Sequence, residues 1–409
     1  MAPRTASSWL LVLTLLVGCG SVSRSASDAD AIEARGDLDG AIAAWRERFD
    51  AGGRVDAEAA THVGMLALQR GDLALAEEWL QTADRLQADQ PRVTAALARG
   101  AFLSGDYARA DGLLRPLVAK FPNDPTYRAE LARVAFAAHE YPEAATQAER
   151  ALHDGTAPDP ALWTLLGQAE ARVGRVDRAE EAYRRAMALA PDDAAPCYYL
   201  GRLYDDLELP GQAVEMFRQA LRLCPGFVDA GRDLGTVLLR QGDVEGAVLA
   251  LENARALAPD DAGLLNNLGV AQRQAGHLPE ARATFEQALA VGGESRAIAM
   301  NLADTCLHQG DFVRAQAVLV DAIARNVARR DDVLELEKLL VVRAYHEVVC
   351  ERAGAFDKAS FQGRLAALRH EAVLDQAEQP RDVLAAVLAD QALKTLLDEA
   401  NQRCLATPK

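Results

Sequence analysis

Cysteine and histidine are the residues of this sequence best suited to metal binding, redox chemistry or nucleophilic catalysis. The chain of 409 residues has six cysteines and seven histidines. There is no Cys-x-x-Cys pair, and no Cys/His cluster has metal-ligand spacing, so a zinc or haem site has no support. The histidines are dispersed, and no Gly-rich phosphate loop, His-Glu-x-x-His or Gly-x-Ser-x-Gly motif is present. The sequence therefore predicts no enzyme, no metal and no cofactor.

The N-terminal segment has the composition of a signal sequence. Arg4 precedes an apolar stretch from Trp9 to Val17. This stretch is far shorter than the 18 or more apolar residues that span a bilayer, which argues against a membrane helix. The segment Leu16–Cys19 resembles a bacterial lipobox, and the resemblance implies that Cys19 is lipidated and that residues 1–18 are removed. The alternative is an ordinary secretory signal with a chance cysteine.

Both interpretations of the N-terminal segment predict export from the cytosol. We expect a mature chain in the cell envelope, with residues 19–30 as a lipidated tether. Gly20, rather than Asp, follows the cysteine. In enteric-type sorting this resemblance implies transfer to the outer membrane, facing the periplasm, whereas other sorting systems leave the inner membrane and the cell surface open.

The composition indicates a folded chain built from helices. Half of the residues are hydrophobic but only 5% are aromatic. No long alternating run of β-branched residues appears, which favours helices over strands. With 60 acidic residues against 44 basic ones, the formal net charge is −16. So acidic a chain is poorly suited to nucleic acid, which requires a basic surface to displace counterions.

Small residues recur along the chain with a period of 34 or 35 residues. The recurrent residue is an alanine at nine positions, namely Ala41, Ala76, Ala110, Ala144, Ala179, Ala213, Ala247, Ala281 and Ala315. Five residues before each alanine lies a glycine, except at His139 and Glu208. Glycine can adopt a positive φ and end a helix, and alanine lets the next helix approach closely. The pattern predicts a repeated pair of helices joined by a tight turn.

The best copy of this unit lies between Pro160 and Asp193. It contains Trp163, Leu166-Gly167, Gly174, Ala179, Tyr183, Ala186 and Pro191. At these spacings, and over roughly residues 23–329, the chain resembles the tetratricopeptide repeat (TPR) family. The resemblance implies an all-α fold, a right-handed α-solenoid of antiparallel helix pairs with a concave binding surface. The domains that we expect are a signal peptide over 1–18, the tether over 19–30, a solenoid of about nine repeats over 31–329, and a degenerate repeat with C-terminal capping helices over 330–409.

In the TPR family the first helix of each pair lines the groove, and that register implies an arginine-rich row here. The implied groove residues are Arg99, Arg133, Arg172, Tyr198, Arg202, Arg232, Arg240 and Arg273, with Phe102 and Phe136 among them. Guanidinium groups gathered on one face would attract an acidic peptide or a free carboxylate, which arginine holds with two parallel hydrogen bonds. The alternative is that these arginines lie on solvated helix faces and pair with nearby carboxylates. Asp205 or Asp206, for example, could pair with Arg202 or Arg240.

Two asparagines form a shorter row in the same register. Asn267 and Asn301 lie one repeat apart, at the sixth position of their first helices, and Asp233 lies a further repeat back. Related grooves use asparagine there to hydrogen-bond the backbone of an extended peptide. The alternative is a helix cap or a hydrogen bond between repeats.

Five cysteines remain after Cys19, so at least one is unpaired in an oxidising compartment. Cys197 begins a first helix and Cys224 ends the second helix of the same pair, and antiparallel packing would bring these ends together. A Cys197–Cys224 disulfide and two buried free thiols are therefore alternatives. A bridge between Cys350 and Cys404 is equally open.

Together these features predict a non-catalytic, lipid-anchored scaffold that binds proteins or peptides in the bacterial cell envelope. Outer-membrane lipoproteins built from TPR repeats include pilus assembly factors and secretin-targeting proteins, so the resemblance implies a role in assembly or secretion. The alternative is an accessory subunit that tethers an envelope enzyme for polysaccharide synthesis or export, or for peptidoglycan modification.

Overall fold

The computed structural model describes residues 24–155, 159–292, 295–324, 339–344, 346–348 and 358–371. Within these ranges every regular element is a helix, which confirms the predicted all-α fold. The predicted signal peptide and most of the predicted capping region lie outside the described residues. The chain divides into two compact units, Met1–Leu189 and Ala190–Lys409, called unit 1 and unit 2.

Unit 1 consists of helices that pack in order along the chain. They are α1 (Arg24–Ala34), α2 (Leu38–Ala51), α3 (Ala57–Arg70), α4 (Leu73–Leu86), α5 (Pro91–Leu103), α6 (Tyr107–Lys120), α7 (Pro125–Ala137), α8 (Tyr141–Asp154), α9 (Pro160–Val173) and α10 (Val176–Leu189). Each helix packs against the next, and α3, α5, α7 and α9 also contact one another in turn. Unit 1 is therefore a stack of helix pairs whose first helices lie side by side.

Unit 2 repeats the same arrangement. Its helices are α11 (Ala194–Asp206), α12 (Pro210–Leu223), α13 (Val228–Gln241), α14 (Val244–Leu257), α15 (Ala262–Gln274), α16 (Leu278–Gly292), α17 (Arg296–His308), α18 (Phe312–Ala324) and α19 (Lys358–Glu371). Residues 339–344 and 346–348 are also helical. The first helices α11, α13, α15 and α17 contact one another in turn.

The periodic alanines lie where the two helices of a pair meet. All nine, from Ala41 to Ala315, are at most 1% exposed. A glycine in the first helix makes a second close contact, because a Cβ on Gly167 would lie 2.6 Å from the ring of Tyr183. A larger side chain at either position would push the pair apart or force its neighbours off their rotamers.

The predicted turns have the predicted backbone conformation. The seven glycines that precede the periodic alanines have φ between 77° and 86°, and they are Gly36, Gly71, Gly105, Gly174, Gly242, Gly276 and Gly310. His139 and Glu208, which replace glycine in two repeats, also adopt positive φ values of 63° and 56°. The turn geometry is thus the same in every pair, although two repeats lack the residue that adopts it at least cost.

The helical segments beyond α18 extend the core of unit 2. Leu340, Phe361 and Leu368 are buried in the same cluster as Leu319 of α18. Arg343, only 9% exposed, donates to Gln316 Oε1 over 2.6 Å and pairs with Glu347 at 2.8 Å. These segments cover apolar surface that the last helix pair would otherwise expose.

Candidate functional site

The first helices of unit 2 share one polar surface, which we call the first-helix face. It comprises Tyr198, Arg202 and Asp205 of α11, Arg232, Asp233, Thr236 and Arg240 of α13, Asn266, Asn267 and Arg273 of α15, and Asn301 and Asp304 of α17. Side chains on this face bond to the equivalent helix of a neighbouring repeat. It brings together seven of the residues predicted for the groove, together with carboxylates that the register did not assign.

Tyr198 anchors one end of the first-helix face. Its side chain is 7% exposed, and its hydroxyl donates to Asp233 Oδ2 of the next repeat over 3.1 Å. Burial raises the pKa of Tyr198 to about 12, and burial also raises the pKa of the Asp233 carboxyl above its ordinary value. Arg202, on the turn of α11 that follows Tyr198, is exposed and interacts electrostatically with both side chains.

Three further arginines of the first-helix face have carboxylate partners. Arg240 pairs with Asp205 of the preceding repeat, and Arg273 pairs with Asp304 of the following one. Arg232 lies between Asp229 at 2.5 Å and Asp261 at 3.3 Å. This geometry corresponds to the alternative of locally paired arginines, including the pairing of Arg240 with Asp205, because aspartates reach these arginines from neighbouring turns and repeats.

The two predicted asparagines bond across repeats. Asn267 Nδ2 donates to Thr236 Oγ1 over 3.2 Å, and Asn301 Nδ2 donates to Asn266 Oδ1 over 2.9 Å. This geometry corresponds to the alternative of an inter-repeat hydrogen bond. Each amide retains further donor and acceptor capacity, since a primary amide has two donors and two acceptor lone pairs.

The remaining predicted arginines lie in unit 1. Arg133 pairs with Glu130 at 3.3 Å and with Asp159 at 3.6 Å, and Arg99 is exposed. The guanidinium carbon of Arg172 lies 5.9 Å from the centre of the Tyr141 ring. These arginines occupy first helices, as the register implied, but their surroundings differ from one repeat to the next.

The predicted cysteine pair consists of two free thiols in the structure. Cys197 is buried and Cys224 is exposed, so neither the disulfide nor the alternative of two buried thiols describes the pair. Burial raises the pKa of the Cys197 thiol. Cys19, Cys350 and Cys404 lie outside the described residues, and the lipidation of Cys19 stays a prediction.

Of the carboxylates that organise the first-helix face, only Asp205 is predicted from the sequence as a partner of an arginine. Asp304 received no role, and Asp233 was considered only as a distant member of the asparagine row. The available signal was an aspartate 29 to 35 residues from an arginine or tyrosine, as in the pairs of Tyr198 with Asp233 and Arg232 with Asp261. That separation is close to one repeat.

The part of the chain that the structure describes contains neither a candidate metal site nor a candidate membrane-spanning helix. Among those residues, no group of three or more histidine, cysteine, aspartate or glutamate side chains is placed to hold a metal ion. None of the described helices has both the length and the apolar character needed to cross a bilayer.

A family model supports what the helix pairs indicate. The tetratricopeptide repeat model matches residues 29–91, 95–160, 129–194, 198–262, 232–289 and 266–326. These overlapping matches cover more than half of the chain. The chain belongs to the tetratricopeptide repeat family. TPR proteins are generally non-catalytic scaffolds for protein–protein interaction, and the first-helix face is a surface of that TPR array.

Individual relatives are more distant. Protein FlbA of Caulobacter vibrioides is 27% identical over 248 residues, which are 58% of this chain and 40% of FlbA. The chain thus spans less than half the length of that relative. Among solved structures, YrrB, described as a TPR protein with an unusual peptide-binding site, is 16% identical over 45% of this chain and 95% of YrrB, with a TM-score of 0.38. PilF of Pseudomonas aeruginosa is 20% identical over 52% of this chain and 91% of PilF, with a TM-score of 0.39.

Proposed function

We propose that this TPR protein is a non-catalytic, lipid-anchored scaffold of the bacterial cell envelope, and that it binds partner proteins on the first-helix face of unit 2. The observation that carries the proposal is the run of cross-repeat polar contacts along four successive first helices. A row of exposed or partly exposed arginine and asparagine side chains offers repeated hydrogen-bonding positions to an extended segment. The predicted signal sequence and the lipobox-like segment ending at Cys19 support the proposed envelope location and anchor.

An acidic partner segment fits this face best. Arg240 and Arg273 are paired with aspartates whose side chains are 27% and 46% exposed. Exposed ion pairs contribute about 0–1 kcal/mol, so a partner carboxylate can replace either aspartate at little cost. Arginine then holds the new carboxylate with two parallel bonds, and the released aspartate is solvated. The partner is therefore an acidic segment or a chain end with a free carboxylate.

Affinity purification of the native protein after mild cross-linking tests the proposal. Wild type is compared with a triple variant, Arg202→Gln, Arg240→Gln and Arg273→Gln, which removes charge without placing a glutamate beside Asp205 or Asp304. We expect the triple variant to retain about a tenth or less of the captured partner, since charge-assisted hydrogen bonds contribute about 1.5–3 kcal/mol each. A matched control, Arg218→Gln, Arg222→Gln and Arg255→Gln, makes the same charge change on the second helices α12 and α14.

The identity of the captured protein distinguishes the roles that the sequence left open. Secretin or pilin peptides in the eluate support an assembly or secretion role, whereas a polysaccharide synthase or a peptidoglycan hydrolase supports the tethering of an enzyme. Equal capture by wild type and the first-helix triple variant would remove the first-helix face from the proposal.

A further inference from the structure

Unit 1 carries a different surface on the edge where each first helix turns into its second helix. Phe102 and Leu103 end α5 and Tyr107 begins α6, while Phe136 lies at the end of α7 and Tyr141 begins α8. Arg172 lies in the last turn of α9. We call these six residues the aromatic edge. They share an edge because all of them lie at the intra-pair turns of successive, packed repeats.

The aromatic rings form an equivalent pair in two successive repeats. The ring centres of Phe102 and Tyr107 lie 5.8 Å apart, and those of Phe136 and Tyr141 lie 5.4 Å apart. Members of the two pairs are separated by 34 residues, one repeat. The Tyr141 hydroxyl also lies 2.8 Å from His139 Nδ1. Each ring is thus held by its neighbour in a defined orientation. Because these side chains are already ordered, binding a partner would cost little of their conformational entropy.

Large apolar side chains on this edge remain accessible. Leu103 is 47% exposed, and the four aromatic residues are only partly buried. An isolated exposed leucine requires no explanation, but here it adjoins Phe102 and a repeated aromatic pair. In the repeat that follows α5 and α6, the position equivalent to Arg172 is Ala137, whose methyl group is too short to lie over Tyr107 as Arg172 lies over Tyr141.

Arg172 adds a positive charge that the described residues do not neutralise. Its guanidinium lies over the Tyr141 ring, and no carboxylate of the described residues lies within ion-pair distance of it. Arg133, Arg232, Arg240 and Arg273 differ, since each has a carboxylate partner. A cation over an aromatic face keeps its outward donors available for an anion. This part of the edge therefore combines an apolar surface with an unpaired charge.

We propose that the aromatic edge is a second docking site, which binds a peptide segment of a partner protein in which a large apolar or aromatic side chain lies within three residues of a carboxylate. The inference rests on the proposed scaffold function and adds a separate surface with its own specificity. The apolar side chain packs on Leu103 and the Phe102 and Phe136 rings, and the carboxylate bonds to Arg172. Charge complementarity selects this occupant, because a basic or purely apolar segment would leave Arg172 without a counter-charge.

Selection from a random 12-residue peptide library displayed on phage, against residues 19–409 in solution, tests the inference. We expect the enriched peptides to carry an aromatic or large aliphatic residue within three positions of Asp or Glu. The synthetic form of the most enriched peptide should bind Arg172→Glu at least about tenfold more weakly than wild type, since a charge-assisted bond is replaced by repulsion. Tyr141→Ala should also weaken binding, and Arg150→Glu, an equal charge change on α8, should not. Circular dichroism establishes that each variant is folded.

The outcomes separate this inference from the proposed function. Enrichment of peptides without the apolar–acidic pattern, no enrichment at all, or unchanged binding to Arg172→Glu would overturn the aromatic edge. If the enriched peptides instead lose binding only in the triple arginine variant of unit 2, the edge fails while the first-helix face stands. If Arg172→Glu abolishes binding and the triple variant does not, the aromatic edge is supported, and the first-helix face is decided by the affinity purification alone.

Discussion

At the scale of single residues, a partly buried polar cluster joins α1, α2 and α3, the three N-terminal helices of unit 1. Glu33 Oε2 of α1 accepts a hydrogen bond from Trp45 Nε1 of α2 over 3.0 Å, and it lies 3.0 Å from Nδ1 of His62 of α3. The indole and the imidazole stack with their centres 4.1 Å apart, and His62 is only 9% exposed. One carboxylate thus links three helices. No part of this cluster was anticipated from the sequence, because its members are 12 and 29 residues apart and share no motif.

The cluster makes the attachment of α1 sensitive to acid. The hydrogen bond with His62, and the charges of His62 and Arg92, lower the pKa of Glu33 below its ordinary value of 4.5, against the opposing effect of burial. A carboxyl whose pKa is lower in the folded state stabilises the fold above its ordinary pKa. That contribution is lost as the pH falls through the folded-state value.

We predict that Glu33→Gln loosens α1 at neutral pH but not in acid. Amides of α1 should exchange with deuterium about tenfold faster in the variant at pH 7, because a hydrogen bond to a charged group contributes about 1.5–3 kcal/mol. After correction for intrinsic exchange, the difference should shrink below pH 4. Glu47→Gln, at an exposed position of α2, is the control. An equal difference at both pH values would show that charge on Glu33 is not involved.

At the scale of elements, the turn within each helix pair fixes where one helix ends and the next begins. The turn residue adopts a positive φ in every described pair, whether it is glycine, His139 or Glu208. An aspartate often follows the glycine and caps the second helix, as Asp72 does by accepting a hydrogen bond from the backbone N–H of Leu75 over 3.1 Å. That hydrogen bond and, to a smaller extent, the hydrogen bond from Arg70 lower the pKa of the Asp72 carboxyl.

We predict opposite effects of the same substitution at two glycines of unit 1. Gly174 has φ of 84°, and a Cβ there would meet no atom within 4 Å, so the cost of Gly174→Ala is conformational. It should speed amide exchange in α9 and α10 by about tenfold, because a left-handed alanine costs about 1–2 kcal/mol. Gly112→Ala, inside α6 and equally free of contacts, should slow exchange in α6, since alanine favours a helix by about 1 kcal/mol. Faster exchange in both variants would contradict the conformational explanation.

Unit 2 provides the converse test. Glu208 has a φ of 56°, a left-handed backbone conformation that residues with a side chain seldom adopt. We expect Glu208→Gly to slow amide exchange in α11 and α12 about threefold, because the strain removed, about 1 kcal/mol, exceeds the added flexibility of the unfolded chain. Thermal unfolding followed by circular dichroism should show a higher midpoint. A lower midpoint would mean that Glu208 makes a stabilising contact that outweighs its backbone strain.

At the scale of the whole molecule, the sequence predicted the repeats far better than the surfaces they present. A period of 34 or 35 residues in small side chains indicates which residues must meet, and Ala179 and Gly174 accordingly occupy the core and the turn. The pairing of Arg240 with Asp205 was among the predicted alternatives, but the pairing of Arg273 with Asp304, 31 residues away, did not follow from the sequence. A repeat register assigns a side chain to a helix face, but it does not specify which neighbouring side chain will reach it.

The proposed location in the cell envelope rests on a segment outside the described residues. We predict that Cys19→Ser releases the mature chain from membranes into the soluble envelope fraction, because a single change removes the acceptor for the lipid. Fractionation followed by carbonate extraction and immunoblotting measures this directly. Cys224→Ser, at an exposed thiol of unit 2, is the control and should leave the distribution unchanged. Membrane association that persists in Cys19→Ser would contradict the proposed anchor.

Site-specific photo-cross-linking in living cells tests most directly whether partners bind the first-helix face. A benzophenone side chain is placed at Arg240 or Gln274, at exposed ends of the first helices α13 and α15, and at Glu215 or Glu252, at exposed positions of the second helices α12 and α14. We expect a discrete protein adduct from the first-helix positions and none from the second-helix positions. Adducts only from Glu215 and Glu252 would contradict it.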